Sequence, residues 1–370
     1  MRRFQRLNVS KPLPIAMQPI PSSIARISTG RDAAIVPRDA QRFVTQRKQQ
    51  VISCKIAWCS VLNLRELNLC ELDIDGLPQL PAHIVSLKVA RNRLRTLPDH
   101  LPASIRELDA SSNAFSRIPP NLPASLRTLD LSRNRIRHIR NLPDGLESLK
   151  LESNLIQYVD RTLPDTLRTL DISSNILIGI DRVLPSKLTT LNVANNLLSN
   201  LPDRLPRKLK SLYIDHNEIL ETLPERMPGR LEQLSANYCA LVRLPERLPD
   251  SIRWLSVTNN QLSEIPRYPR FLKYLNANNN KIEKIGTTLP VGLQVMRLRD
   301  NKIAKVPAFI ANAWTSRVTS IRPQRVRISR LVNLDGNPLI DGRARRRTSH
   351  PMQLRPLTIR VNAAPSARQK

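Results

Sequence analysis

Residues 121–139 read NLPASLRTLDLSRNRIRHI. The block holds Leu-x-x-Leu-x-Leu-x-x-Asn-x-Ile, preceded by Leu-Pro, and the same combination returns down most of the 370-residue chain. Aligned on the residue that closes each block, the register positions are Asn92, Asn113, Asn134, Asn154, Asn175, Asn196, Asn217, Cys239, Asn260, Asn280 and Asn301. The steps between them are 20, 21 or 22 residues.

A fixed period of this size marks a solenoid, and the motif is the leucine-rich-repeat pattern, which allows Cys at the Asn position. Leu126, Leu129, Leu131 and Ile136 cannot bury themselves within one unit; stacked units bury them as a continuous core. The Leu-x-Leu alternation predicts a short strand with Leu129 and Leu131 inward. Such strands line up as a parallel sheet on a concave side. The Asn side chain donates and accepts, so it can satisfy backbone groups where the chain leaves the sheet. Leu-Pro recurs nine times in this rhythm, from Leu97-Pro98 to Leu289-Pro290. Proline fixes φ and supports an extended return without ladder hydrogen bonds. The expected fold is therefore a leucine-rich-repeat solenoid: short parallel strands on the concave face and an extended, polyproline-type convex face.

Solenoids need end caps. Phe43, Val44, Val51, Ile52, Ile56 and Cys59 recur near helical spacing after a candidate capping Asp39. They predict a helical N-terminal cap over 39–63. A degenerate first repeat follows, with Leu72 where later units place Asn. The remaining divisions are a disordered segment over 1–38, repeats over 64–310, a closure over 311–341 and a basic disordered tail over 342–370.

The net charge is +29, of which residues 1–50 carry ten Lys/Arg against Asp32 and Asp39, and residues 317–370 carry thirteen against Asp335 and Asp341. The excess thus sits mostly at the ends. Arg343, Arg345, Arg346 and Arg347 form a compact cluster that can be a nuclear localisation signal or a polyanion contact. No apolar run reaches the ~18 residues of a membrane helix, and the proline-broken N-terminus lacks the apolar core of a secretory signal. The cysteines, Cys54, Cys59, Cys70 and Cys239, form no CxxC pair and none has zinc-ligand spacing to a His. They read as reduced, buried thiols.

No catalytic constellation emerges: no phosphate-binding glycine loop, no metal set and no cofactor signature. The expectation is a non-enzyme without cofactor or metal. Two features mark the exposed positions that flank the inward leucines. Asp109, Asp130 and Asp171 form a mildly acidic column in the first half. Tyr213, Tyr238, Trp254 and Tyr274, with Asn276 beside them, put aromatics on the concave side of the second half. Of thirteen aromatics in the chain, these four sit where the architecture does not need them, and Tyr and Trp are common interface anchors. Nucleic acid is the alternative partner, through non-specific phosphate contact. The concave face argues against it, since only Lys88 and Arg91 at one end and Arg297 and Arg299 at the other are basic.

The stretch LPQLPAHIVSLKVARNRLRTLPDHLPASIRELDASSNAFSRIPPNLP, together with the helical lead-in and the LDGNPL closure (334–339), resembles the LPX-type leucine-rich repeats of bacterial type III secretion effectors. That family includes YopM-like proteins and the IpaH and SspH ubiquitin ligases. The resemblance implies secretion by a type III system and work in the host cytoplasm, and for some members the host nucleus, with host proteins as partners and no small-molecule substrate. The ligases carry a further domain whose nucleophile is the Cys of a Cys-x-Asp motif. Here only 33 residues follow Asn337, and no Cys has Asp two positions on. The YopM-like arrangement, an adaptor without a catalytic domain, is the expectation; a degenerate relative of the ligases is a further alternative.

Overall fold

The computed structural model describes residues 38–159, 163–180, 184–307, 310 and 332–339. The predicted segments 1–38 (but for Arg38) and 342–370, most of the closure, and Arg343, Arg345, Arg346 and Arg347 lie outside the described residues. The chain divides into two compact units. The first runs to Arg135 and takes in Asn141–Leu146; the second comprises Ile136–Arg140 and everything from Glu147.

The first unit opens with helix α1 (Arg38–Val61). It starts one residue before the predicted cap Asp39 and ends two before residue 63. Ile52 and Cys59 are buried and Ile56 is half-buried, at the 4,3 spacing that places them on one helical face. Cys54 lies off that face and is exposed, which corrects its expected burial. Cys59 instead sits inside, its Sγ 3.2 Å from the Leu64 carbonyl, and burial raises its pKa. Four parallel strands follow: β1 (Glu66–Asn68), β2 (Ser86–Lys88), β3 (Glu107–Asp109) and β4 (Thr128–Asp130).

The second unit repeats the design. Its strands are β5 (Ser148–Lys150), β6 (Thr169–Asp171), β7 (Thr190–Asn192), β8 (Ser211–Tyr213), β9 (Gln233–Ser235), β10 (Trp254–Ser256), β11 (Tyr274–Asn276), β12 (Val295–Arg297) and β13 (Val332–Asn333). Each pairs parallel with the next. Within both units the central strand residue is fully enclosed, as at Leu129, Leu170 and Leu255. Both units are leucine-rich-repeat solenoid, as expected.

The register asparagines do the work their chemistry predicted. Asn134 Oδ1 accepts the Phe115 N–H from the preceding repeat at 3.0 Å, and its Nδ2 donates to the carbonyls of Ala110 and Leu131 at 3.1 and 2.9 Å. Asn175, Asn196, Asn217 and Asn260 repeat this pattern. Asn337 performs it a last time, accepting from Ile303 and donating to Leu298. Each such side chain closes backbone groups that would cost about 1–3 kcal/mol if left buried and unpaired. The residue before each asparagine is in the left-handed region, from Arg91 (φ 56°) to Gly336 (φ 72°). At 336 a Cβ would stand 2.0 Å from Asp300 Oδ1, so a larger residue there requires that side chain to move.

Cys239 is the exception, and it falls on the one 22-residue step. Its thiol lies 3.4 Å from the Ile214 carbonyl, the donor half of the asparagine's role. The acceptor half is not needed. The additional residue lets the Leu220 N–H, which stands where Leu198 stood one repeat earlier, bond the Asn217 carbonyl at 3.0 Å. Burial pushes this thiol up to about 11.

Proline serves more than an extended return. In repeat after repeat its carbonyl accepts the N–H three residues on: Leu126 from Pro123 at 3.0 Å, Leu209 from Pro206 at 3.0 Å, Ile252 from Pro249 at 3.1 Å. This turn delivers the next buried Leu or Ile to the core. One repeat has Tyr268-Pro269 where its predecessor has Leu248-Pro249. The Tyr268 ring is buried beside Gly286, and burial raises the phenol from its ordinary 10.0 to about 12. The folded state thus favours the neutral phenol. Its contribution is complete below the unfolded value and lost as pH rises from about 10 toward about 12, about 3 kcal/mol in all. Tyr268→Leu is expected to flatten this alkaline fall, read as denaturant midpoints at about pH 8 and about pH 11.5. An unchanged fall places the lability elsewhere.

Candidate functional site

The strand face carries the predicted site residues, and the structure separates those that build it from those that are offered by it. The carboxylates of Asp109, Asp130 and Asp171 each accept the N–H of the residue two on, Ser111, Ser132 and Ser173, at 3.0 Å. This is an Asx turn, in which a short polar side chain ends the strand. Asn68, Asn192 and Asn333 do the same. Asp109 and Asp130 lie in the first unit and Asp171 in the second, where Lys150 is its register partner on β5. Asp109 and Asp130 are register partners on β3 and β4, so the first unit places these two side by side, each also closing a strand-ending turn, while in the second unit Asp171 has Lys150 beside it.

On β8, β9 and β10 the strand-ending duty moves; Asn276 on β11 and Asn333 on β13 keep it. Tyr213, Ser235 and Ser256 occupy the third strand position, where an Asx turn cannot form. Instead the residue two further on caps its counterpart in the next repeat. Asp215 Oδ1 accepts from the N–H of Asn237 at 2.8 Å and from the Ser235 hydroxyl at 2.6 Å. Asn237 Oδ1 accepts from the Thr258 N–H at 2.8 Å and from the Ser256 and Thr258 hydroxyls at 2.7 and 2.6 Å. Asn278 accepts from Arg299 N–H at 2.8 Å. Handing the cap across strands frees the third position for other side chains.

Of the aromatics, Tyr213 takes such a third position, while Trp254 and Tyr274 hold the first position of β10 and β11 on the same face. Trp254 and Tyr274 are register partners on β10 and β11. Their rings stack at 5.6 Å with 9° between planes. The Arg297 guanidinium lies 5.7 Å from the Tyr274 ring centroid, on the β12 side. Both rings are half-buried. Tyr213 donates its hydroxyl to Gln233 Oε1 at 2.5 Å, which places it at the β8–β9 end of the same face. Asn276 lies beside the pair, in register with Ser256 and Arg297.

Tyr238 is a correction. It holds the left-handed position (φ 54°) before Cys239, in the turn after β9, and stacks on His216 at 4.4 Å. His216 fills the same turn slot one repeat earlier. Tyr238 therefore marks the turn edge, away from the strand face. The repeat register was the available signal, because every residue just before the Asn/Cys position falls in this turn.

Sequence reading passed over the residues that open strands β10 and β11. Arg253 and Lys273 precede Trp254 and Tyr274 and are exposed. The same slot holds Arg168 and Lys210 in earlier repeats, which are 3.4 Å from Glu147 and Glu232. Arg253 and Lys273 have no such carboxylate partner among the described residues.

Among the described residues no helix is long and apolar enough to cross a membrane, and no group of His, Cys, Asp and Glu can hold a metal ion. All four cysteines are free.

Comparison with known proteins agrees with this architecture. A Leucine Rich Repeat family profile matches residues 125–149. Among curated proteins, none matches the chain. YopM, a leucine-rich effector protein from Yersinia pestis, is similar in structure, with a TM-score of 0.62 and 27% identity over 70% of this chain and 78% of that one. The leucine-rich-repeat chain FLRT2, solved in a complex with Latrophilin 3 and Unc5D, aligns with a TM-score of 0.60 and 22% identity over 74% of this chain and 90% of that one. A chain of the LRIM1/APL1C complex aligns with a TM-score of 0.56 and 21% identity over 72% of this chain and 52% of that one. Fold and repeat chemistry together define a leucine-rich-repeat solenoid protein. Its fold is YopM-like.

Proposed function

We propose that this chain is a bacterial effector that enters eukaryotic host cells and acts there as a non-catalytic scaffold, binding host proteins through the strand face of its second unit. The observation that carries the reading is the Trp254–Tyr274 stack. Two large aromatics stand half-exposed on a surface where Asp215, Asn237 and Asn278 cap the Asn237, Thr258 and Arg299 N–H groups. Aromatic side chains in such positions are frequent interface anchors. The similarity to YopM, an effector, supports the setting. The complexes that contain the FLRT2 and LRIM1/APL1C chains support protein partners.

The test is affinity capture from nuclease-treated eukaryotic lysate at physiological salt, with the full chain beside a Trp254→Ala/Tyr274→Ala variant. A discrete set of proteins retained by the wild type and lost by the variant is the expected result. The stack contributes about 0.5–1.5 kcal/mol beyond area burial, so the variant's thermal midpoint should fall by only a few degrees. Unchanged capture by a folded variant overturns the site. Retention of nucleic acid alone, when nuclease is omitted, overturns the scaffold.

A further inference from the structure

The charge around the Trp254–Tyr274 stack is one-sided. Across β9–β12 the strand-face positions hold uncharged residues and two arginines, Arg297 and Arg299, and no carboxylate. Arg253 and Lys273 flank the stack where the strands begin, and Arg297 flanks it where β12 ends. Of these cations only Arg299 has a carboxylate partner among the described residues, Asp300 at 3.0 Å. Elsewhere the equivalent leading-edge cations are neutralised, as by Glu147 and Glu232. The stack is thus an apolar ridge with Arg253 and Lys273 on one side and Arg297 on the other; the nearest leading-edge carboxylate, Glu232 of the preceding repeat, pairs with Lys210.

We infer that this face takes an acidic, extended segment of a partner protein, with an apolar side chain against the aromatic ridge and carboxylates toward Arg253, Lys273 and Arg297. The inference rests on the scaffold reading above and names the chemistry of its partner. Ring geometry selects a peptide over a nucleic acid. Sequence-tolerant nucleic-acid binding uses open aromatic faces for base stacking. Here Trp254 and Tyr274 cover one face of each other, and Arg297 stands over the other side of Tyr274 from β12. Tyr274 thus has no open face and Trp254 keeps one, short of the run of open rings that successive bases would need, with positive charge beside it. Charge also excludes the chain's own ends as the occupant, since residues 317–370 carry thirteen Lys/Arg against two Asp.

The experiment titrates the full chain with a fluorescent Asp/Glu-rich peptide containing one Phe, with its Asn/Gln counterpart, and with oligothymidylate. Basic ends bind any polyanion, so two neutralised variants are compared: Arg253→Gln/Lys273→Gln/Arg297→Gln at the face and Arg345→Gln/Arg346→Gln/Arg347→Gln in the tail. The face variant should lose about tenfold in peptide affinity and the tail variant less than about twofold. The Asn/Gln peptide should bind no variant measurably. Equal losses in both variants, or no loss at the face, overturn the inference. Oligothymidylate binding that falls with Trp254→Ala/Tyr274→Ala also overturns it, in favour of nucleic acid. Failure here with host-protein capture still lost on Trp254→Ala/Tyr274→Ala leaves the scaffold standing and removes only the acidic partner. Intact capture by that double variant removes the scaffold site itself.

Discussion

Replacing Asn217 by Leu should lower the free energy of unfolding by about 4 kcal/mol. The side chain is fully enclosed. Its Oδ1 accepts the Leu198 N–H at 3.0 Å, and its Nδ2 donates to the carbonyls of Val193 and Ile214 at 3.1 and 2.8 Å. Leucine has similar volume and none of this capacity, so three buried backbone groups lose their partner at once. In a solenoid each repeat touches only its neighbours, so the damage should concentrate in the repeats ending at Asn196 and Asn217. Urea unfolding gives the total, and amide exchange locates it. A loss below about 1 kcal/mol would show that the asparagine ladder is replaceable and would sink the argument. The contrasting change, Cys239→Asn, should gain little. The N–H that a new Oδ1 would take, that of Leu220, already bonds the Asn217 carbonyl.

That contrast shows how far the sequence could be read. The period, the enclosed leucines and the double role of asparagine follow from counting, because each is imposed by repetition of one local geometry. The 22-residue step beside Cys239 was equally visible. Its meaning, a backbone bond that replaces the missing acceptor, needed the path of one inserted residue. The site was legible in part. Trp254 and Tyr274 follow from alternation, since side chains flanking Leu255 and Leu275 must face outward. Tyr238 was misplaced because alternation was carried past the strand into a turn where φ is positive. The acidic series was legible for Asp109 and Asp130, which are register partners, but their strand-ending role was not, because an Asp that ends a strand looks, in sequence, like an Asp offered to a partner. Arg253 and Lys273 were passed over because their importance lies in which neighbour pairs with which: the one carboxylate beside this row, Glu232, pairs with Lys210.

The relocated caps give the second large effect. Asn237→Asp is nearly isosteric, yet it should cost about 3 kcal/mol at neutral pH. Asn237 Nδ2 donates to Asp215 Oδ1 at 2.6 Å and to Ser235 Oγ at 2.9 Å. The substitution turns that donor into a carboxylate oxygen facing another at the same separation. Two like charges so placed on a partly buried face repel by a few kcal/mol at an effective dielectric near 20. The sign of the pH dependence follows. Repulsion favours the protonated form of the new carboxyl in the folded chain. The penalty is therefore absent below the unfolded value of about 4 and grows as pH rises above it. Wild type and variant should converge as pH falls toward about 4 and separate toward about 7, measured as the difference in denaturant midpoint. A pH-independent difference would show that the loss is one of packing, and that Asp215 and Asn237 do not meet as the structure places them. The Oδ1 that accepts from Ser256 and Thr258 beside Trp254 is kept in aspartate, so the folded variant should capture partners about as wild type does, and the penalty should appear in stability alone.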